Sequence, residues 1–127
     1  MQFLFTLLLF PLETLSELNF LCPSPSEIAP CTCEGVLAGA ILNCSLAASN
    51  DELETALEGN VSITKYQFFV INDNAEVTAI GDFMSQYSFG DVYLTNIPNL
   101  KTIDRNAFNG STDSLNTLHI TNTSLGN

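Results

Sequence analysis

The sequence predicts an α/β repeat protein, in which short parallel strands stack into one concave sheet and a disulfide-stapled cap covers the N-terminal end. Three observations lead to this prediction. An apolar pattern recurs through residues 66–125, four cysteines are concentrated in residues 22–44, and the chain begins with a short apolar run. Together they indicate an exported chain that is cross-linked near its N-terminus and built from stacked units.

The first element is the apolar run "MQFLFTLLLFPL". It is too short to span a bilayer, which takes about 20 residues, but it has the length of the apolar part of a signal peptide. Thr14 and Ser16 are small residues two apart, so we predict a signal peptide over residues 1–16, cleaved after Ser16. The alternative is a buried N-terminal helix. We expect a secreted, extracellular protein that is not inserted in a membrane after cleavage.

Composition supports export and excludes one class of partner. Charged residues make up only 13% of the chain, and the formal net charge is -11. Such an acidic surface repels phosphate backbones, so nucleic acid is excluded as a partner. Four sequences fit the N-glycosylation pattern, at Asn43, Asn60, Asn109 and Asn122. We expect glycans on Asn60 and Asn109, which lie outside the predicted strands, more than on Asn122, which ends a strand.

The four cysteines form the next element, Cys22, Cys31, Cys33 and Cys44. They contain no C-x-x-C pair and the single histidine is distant, so disulfides are favoured over a zinc site. In an extended strand Cys31 and Cys33 lie about 6.5 Å apart, too far for a mutual bridge. Two pairings remain open: Cys22–Cys33 with Cys31–Cys44, or Cys22–Cys31 with Cys33–Cys44. Either pairing staples residues 22–45 into a cysteine-rich cap.

Between the cap and the repeated pattern, the segment "SNDELETALEG" predicts a short helix from about Asn50 to Glu58. Ser49 and Glu52 have the spacing of a capping box, and Gly59 supplies a stop at the C-terminal end. The acidic residues of the first turn complement the helix dipole, which explains them without catalysis.

The repeated pattern occupies three segments that start at Tyr66, Phe89 and Leu115, 23 and 26 residues apart. Each begins apolar-x-x-apolar-x-apolar, and the spacing lies within the period of leucine-rich repeats. We therefore predict a leucine-rich repeat solenoid over residues 46–127 with an incomplete last unit. The matching apolar positions are Tyr66, Phe69, Ile71, Val77 and Ile80; Phe89, Val92, Leu94, Leu100 and Ile103; and Leu115, Leu118 and Ile120. The ninth position, where the repeat has an Asn that bonds loop backbone, holds Asn74, Ile97 and Thr123.

Binding is a better prediction than catalysis. The chain has no nucleophile elbow, no H-E-x-x-H and no phosphate-binding glycine loop, so we expect no enzyme activity, cofactor or metal. Residues between the buried apolar positions project from the concave sheet, which is the usual binding surface of a solenoid. They form three columns: Phe68, Asp91 and Thr117; Val70, Tyr93 and His119; Asn72, Thr95 and Thr121. We predict that the second and third columns contact a protein partner.

The cap segment "CPSPSEIAPCTC", with the following "LNCS", resembles the cysteine-rich N-terminal cap of extracellular leucine-rich repeat proteins. This resemblance implies that the first cysteine bridges the third and the second bridges the fourth, Cys22–Cys33 and Cys31–Cys44. Together with "NLKTIDRNAF", the segment is similar to arthropod secreted proteins related to the non-catalytic subunit of oplophorus luciferase. The first interpretation is a secreted protein-binding module. The resemblance implies an alternative, a non-catalytic accessory subunit that stabilises a secreted enzyme such as a luciferase-like monooxygenase.

Overall fold

A computed structural model of the protein describes residues 21–126, and the predicted signal peptide lies outside them. The main sheet has five strands in the order β1-β2-β3-β5-β7. The strands are β1 (Thr32–Val36), β2 (Gly39–Asn43), β3 (Lys65–Asn72), β5 (Ser88–Ile97) and β7 (Thr117–Thr123). Strands β1 and β2 form an antiparallel hairpin, whereas β2, β3, β5 and β7 run parallel. The fold is thus a mixed α/β structure with a parallel sheet.

The core lies on one face of this sheet. Strand alternation buries Phe69 and Ile71 of β3 against Val92 and Leu94 of β5. Aromatic rings fill the end of the core where these strands begin, and Phe69 stacks on Phe89 with ring centroids 4.9 Å apart. The apolar positions predicted from the first two segments are buried, apart from Ile103, which is half-buried. In the third segment Leu115 and Ile120 are half-buried, but Leu118 is 49% exposed because no strand lies beyond β7 among the described residues.

The N-terminal end of the core is closed by helix α1 (Pro25–Ile28) and by the β1–β2 hairpin. Two disulfides fasten them: Cys22–Cys33, with Cα atoms 5.7 Å apart, and Cys31–Cys44, with Cα atoms 4.2 Å apart. The structure therefore contains the first of the two pairings left open by cysteine spacing, the one implied by the resemblance. The buried pair, Cys31 and Cys44, belongs to the hydrophobic core.

Helix α2 (Asn50–Leu57) lies where the capping residues predict a helix. The Ser49 hydroxyl accepts a hydrogen bond from the Glu52 amide at 3.0 Å. The Glu52 carboxylate accepts from the Ala48 amide at 3.3 Å, one residue before the partner that a regular capping box would use. Gly59 follows the helix with φ +85°, a left-handed conformation that favours glycine.

Short elements on the far side of the core connect one parallel strand to the next. Strands β4 (Ala79–Ile80) and β6 (Thr102–Ile103) pair in parallel as a second, two-stranded sheet. Two 3-10 helices, Asp82–Gln86 and Asn109–Ser111, precede β5 and β7. Strands β2, β3 and β5 are thus each followed by a loop and one or more short elements on the far side of the core.

Candidate binding face of the sheet

The side of the main sheet away from the core is its open face. Strand register aligns its side chains in three rows, because Cα partners on neighbouring strands point to the same side. The first row is Glu34, Ile41, Phe68, Asp91 and Thr117; the second is Thr32, Asn43, Val70, Tyr93 and His119; the third is Asn72, Thr95 and Thr121. The columns predicted from the sequence coincide with the parts of these rows that lie on β3, β5 and β7.

An aromatic ridge runs diagonally across the open face through Phe68, Tyr93 and His119. The rings of Phe68 and Tyr93 are stacked, with centroids 6.4 Å apart and planes inclined by 29°. The Tyr93 and His119 rings are 5.9 Å apart and tilted by 49°. Phe68 and Tyr93 are half-buried and His119 is exposed, so the ridge presents aromatic surface to solvent.

Polar side chains flank the ridge in fixed positions. The Gln67 amide nitrogen donates to Oδ2 of Asp91 at 2.9 Å, and Thr95 donates its hydroxyl proton to Oδ1 of Asn72 at 2.7 Å. Gly90 leaves room for the first of these bonds, since a Cβ atom there would lie 2.9 Å from Cδ of Gln67. The carboxylate of Asp91 is therefore held beside the ridge.

The structure places the sequence-predicted residues Val70, Tyr93 and His119 in one row and Asn72, Thr95 and Thr121 in another. Sequence reasoning did not extend these rows into the cap. Strand β2 adds Ile41 beside Phe68 and Asn43 beside Val70, and β1 adds Glu34 beside Ile41. The sequence offered no clear signal for this, since Ala40, Ile41 and Leu42 are all apolar and only the structure separates the half-buried Ile41 from its buried neighbours.

A second set of polar groups follows the carboxyl ends of the strands, at Asp73, Asn96 and Asn122. All three have left-handed backbone conformations, with φ of 56°, 51° and 54°, which Asn and Asp adopt more readily than other residues with a side chain. The Asn96 amide donates to Asp73 and the Asn122 amide donates to Asn96, each at 2.7 Å. This amide ladder ties the strand ends together at one border of the open face.

The four possible glycosylation sites differ in their surroundings. Asn60 and Asn109 are exposed and lie outside the strands. The amide nitrogen of Asn122 is part of the amide ladder. Asn43 is half-buried in the second row of the open face, where its Oδ1 accepts from the Ser45 amide at 2.9 Å.

A cavity of about 390 Å³ lies beside the hairpin, at the start of β3. Two residues of its lining are joined by a hydrogen bond, which the Tyr66 hydroxyl donates to the Ile63 carbonyl at 2.9 Å, and burial raises the pKa of the Tyr66 phenol. The cavity is lined by Leu21, Ala38, Gly39, Ala40, Ile63, Lys65, Tyr66 and Gln67. The ionisable side chains in this lining are those of Lys65 and Tyr66. Residues 21–126 contain no group of three His, Cys, Asp or Glu side chains that could hold a metal ion.

The chain is similar to the Oplophorus-luciferin 2-monooxygenase non-catalytic subunit of Oplophorus gracilirostris, with 32% identity over 100 residues. The match covers 76% of this chain and 28% of that protein, so the chain spans little more than a quarter of its relative's length. This similarity supports the resemblance noted from the cap and repeat motifs. No protein-family model matches the chain, and no solved structure matches it.

The two disulfides favour an extracellular or otherwise oxidising environment. Within residues 21–126, none of the helices has the length and apolar character that a membrane crossing requires.

Proposed function

We propose that this chain is a secreted leucine-rich repeat module whose open face binds another protein, and that it has no catalytic activity of its own. The observation that carries the proposal is the aromatic ridge on the exposed side of a parallel sheet. Tyr and other aromatic residues supply large, rigid contact area and are enriched among the residues that dominate binding energy.

The repeat interpretation is supported by register and spacing. The segments that begin 23 and 26 residues apart in sequence pair as parallel strands, with Tyr66 beside Phe89 and Val92 beside Leu118. In a leucine-rich solenoid the strand face is concave and is the usual binding surface. The disulfide-linked residues 22–45 then act as the cap that covers the first unit.

A second candidate function is that of an accessory subunit. The relative from Oplophorus is named as a non-catalytic subunit of a monooxygenase. By analogy, this chain would bind and stabilise a secreted enzyme, and the open face would be its contact surface. The partner in both candidate functions is a protein, and the two differ in what binding does to that protein.

One experiment tests the binding face. Chemical cross-linking of the native secretion, followed by mass spectrometry, identifies the protein linked to this chain. Its affinity is then measured for the wild type, for Tyr93→Ala and for the control Leu46→Ala, which removes a 72% exposed side chain outside the main sheet. We expect Tyr93→Ala to weaken binding about tenfold or more, as for a hot-spot residue, and Leu46→Ala to leave it unchanged. Unchanged binding by both Tyr93→Ala and Val70→Ala would refute the proposed face.

The accessory function needs a further measurement on the same partner. If the partner is an enzyme, its half-life at elevated temperature is compared with and without an equimolar amount of this chain. A longer half-life favours the accessory subunit, since a ligand of the folded state stabilises it. If the partner enzyme binds tightly but its half-life is unchanged, the binding module without a stabilising role is favoured instead.

We also propose that the protein is glycosylated at Asn60 and Asn109, because both are exposed outside the strands. Asn122 is a weaker acceptor, since its amide nitrogen donates within the amide ladder, and Asn43 would place a glycan on the open face. Intact mass of secreted protein before and after glycosidase treatment, with Asn60→Gln and Asn109→Gln as controls, counts the occupied sites. Loss of the glycosidase shift in the double variant is the expected result.

A further inference from the structure

In the first row of the open face, two carboxylates lie on either side of an apolar pair. Glu34 lies beside Ile41, Ile41 beside Phe68, and Phe68 beside Asp91. Glu34 is exposed and Asp91 half-exposed. The row therefore has a carboxylate on each side of an apolar centre formed by Ile41 and Phe68.

Within the three rows themselves, the only charged side chains are the carboxylates of Glu34 and Asp91. None of the three rows contains Lys or Arg, and the chain as a whole carries a formal charge of -11. The described basic residues lie outside these rows: Lys65 is exposed at the start of β3, three residues before Phe68, and Lys101 and Arg105 flank β6 behind the core. A partner segment that is basic would be attracted to the open face, and an acidic one would be repelled.

Asp91 and the aromatic ridge form a setting suited to a guanidinium group. Oδ2 of Asp91 accepts from Gln67, and Oδ1 accepts none of the hydrogen bonds seen within residues 21–126. Of the two stacked rings, Phe68 lies beside Asp91 on the neighbouring strand β3, and Tyr93 lies two residues after Asp91 on β5. A guanidinium can stack on an aromatic face while it donates to a carboxylate, which an ammonium does less well.

We propose that the open face recognises an extended basic segment of its protein partner, with one cationic side chain at Asp91 and a second at Glu34. The two carboxylates are three strand spacings apart, about 14 Å, which an extended chain covers in about four residues. The segment crosses the strands, places an apolar residue over Ile41 and Phe68, and presents arginine at both ends. This inference rests on the proposed function and gives its partner a chemical class.

The probe is a fluorescently labelled peptide with two arginines four positions apart and a leucine midway between them. One comparison peptide carries citrulline at both arginine positions, which removes the charge and keeps the shape. Another has the two arginines adjacent, which keeps the charge and changes the spacing. Affinity is measured by fluorescence anisotropy for the wild type, Glu34→Gln, Asp91→Asn and the control Asp113→Asn, an exposed carboxylate outside the main sheet.

We expect the spaced arginine peptide to bind about tenfold more tightly than the citrulline peptide and severalfold more tightly than the adjacent one. Glu34→Gln and Asp91→Asn each weaken its binding severalfold, while Asp113→Asn does not. Asparagine at position 91 keeps an acceptor for Gln67, and thermal melting verifies that each variant is folded. Raising the ionic strength from about 0.01 M to about 0.5 M weakens binding of the arginine peptides only.

Equal binding of the arginine and citrulline peptides overturns the inference. Equal losses of peptide affinity in Asp91→Asn and Asp113→Asn also overturn it, because they show that the peptide is attracted by net charge alone. Binding of the cross-linked partner protein by the variants distinguishes failure of this inference from failure of the proposed function. If Tyr93→Ala loses that partner but Asp91→Asn and Glu34→Gln retain it, the open face binds protein without cation recognition. If Tyr93→Ala and Val70→Ala retain it as well, the proposed function itself fails.

Discussion

At the scale of single residues, Asn74 connects the strand end of β3 to the loops beneath it. Its amide nitrogen donates to the carbonyls of Ser45 and Ala47 at 2.9 and 2.8 Å. Its Oδ1 accepts from the amides of Glu76 and Val77 at 2.8 and 2.9 Å. The residue is only 5% exposed, so water cannot replace these partners without a local rearrangement.

Asn74→Ala is therefore expected to lower the free energy of unfolding by about 2–4 kcal/mol, since it leaves several buried backbone groups unpaired. The control is Asn99→Ala, which removes one exposed hydrogen bond to the Ala75 carbonyl and should cost less than about 1 kcal/mol. Urea denaturation followed by circular dichroism measures both. Equal losses in the two variants would contradict this account of Asn74.

A second residue-scale effect concerns alkaline pH. Burial raises the pKa of the Tyr87 phenol from its ordinary value of 10.0 to about 12. The Tyr87 hydroxyl donates a hydrogen bond to the Leu57 carbonyl at 2.7 Å. Only the neutral phenol can donate this bond, so the folded protein favours the neutral form. An acid whose pKa is raised on folding contributes stability that is present below its unfolded pKa and lost as the pH rises.

We expect the free energy of unfolding to fall between pH 10 and about 12, and to fall less steeply in Tyr87→Phe. Some slope should persist in the variant, because burial raises the pKa of Tyr66 as well. Urea denaturation at a series of alkaline pH values gives the slope. An identical slope in wild type and Tyr87→Phe would show that Tyr87 does not titrate with unfolding.

At the scale of elements, the two disulfides fasten the hairpin and α1 to the end of the parallel sheet. They close loops of similar length, with sequence separations of 11 and 13. Their surroundings differ, because Cys31 and Cys44 are buried while Cys22 and Cys33 are half-exposed. Because the loops are of similar length, the chain entropy of loop closure is nearly the same for both disulfides. A difference in how much each disulfide stabilises the protein therefore reports packing in the core.

Replacing Cys31 and Cys44 together by Ala should lower stability by more than about 3 kcal/mol, from lost loop closure and from the cavity left in the core. Replacing Cys22 and Cys33 together by Ala should cost about 3 kcal/mol or less, since little core volume is removed. Chemical denaturation of the two double variants compares them directly. A larger loss from the Cys22 and Cys33 pair would contradict the packing argument.

At the scale of the whole molecule, the described sheet has a hairpin at one edge and β7 at the other. Phe69, Val92 and Leu118 lie side by side on the core face of β3, β5 and β7. The first two are fully buried, and Leu118 is 49% exposed. An edge strand with free backbone groups and an exposed apolar side chain favours pairing with another strand.

Leu118→Lys should therefore reduce self-association of residues 17–127, because a charge at an edge strand opposes pairing with a second strand. The control Leu37→Lys makes the same change at the hairpin turn, where the side chain is 96% exposed and lies outside the strands. Sedimentation velocity over a range of concentrations measures association. Equal effects of both variants would show that general surface polarity, and not the β7 edge, controls it.

The sequence alone determined the features that depend on neighbours a few residues apart. Apolar alternation identified the buried positions of β3 and β5, since side chains in a strand alternate between its faces. Ser49, Glu52 and Gly59 located helix α2, because capping groups act within one helical turn. Four cysteines in residues 22–44 indicated a stapled cap, but their spacing left two pairings open.

Tertiary structure decided the features that depend on groups distant along the chain. The bridge from Cys31 to Cys44 follows from where the hairpin docks, which local spacing does not encode. The pairing of β2 with β3 brings Glu34 and Ile41 into the row of Phe68 and Asp91, although residues 44–64, including helix α2, separate the two strands along the chain. The exposure of Leu118 depends on what covers its strand, because a side chain of given polarity is buried only where another element packs against it.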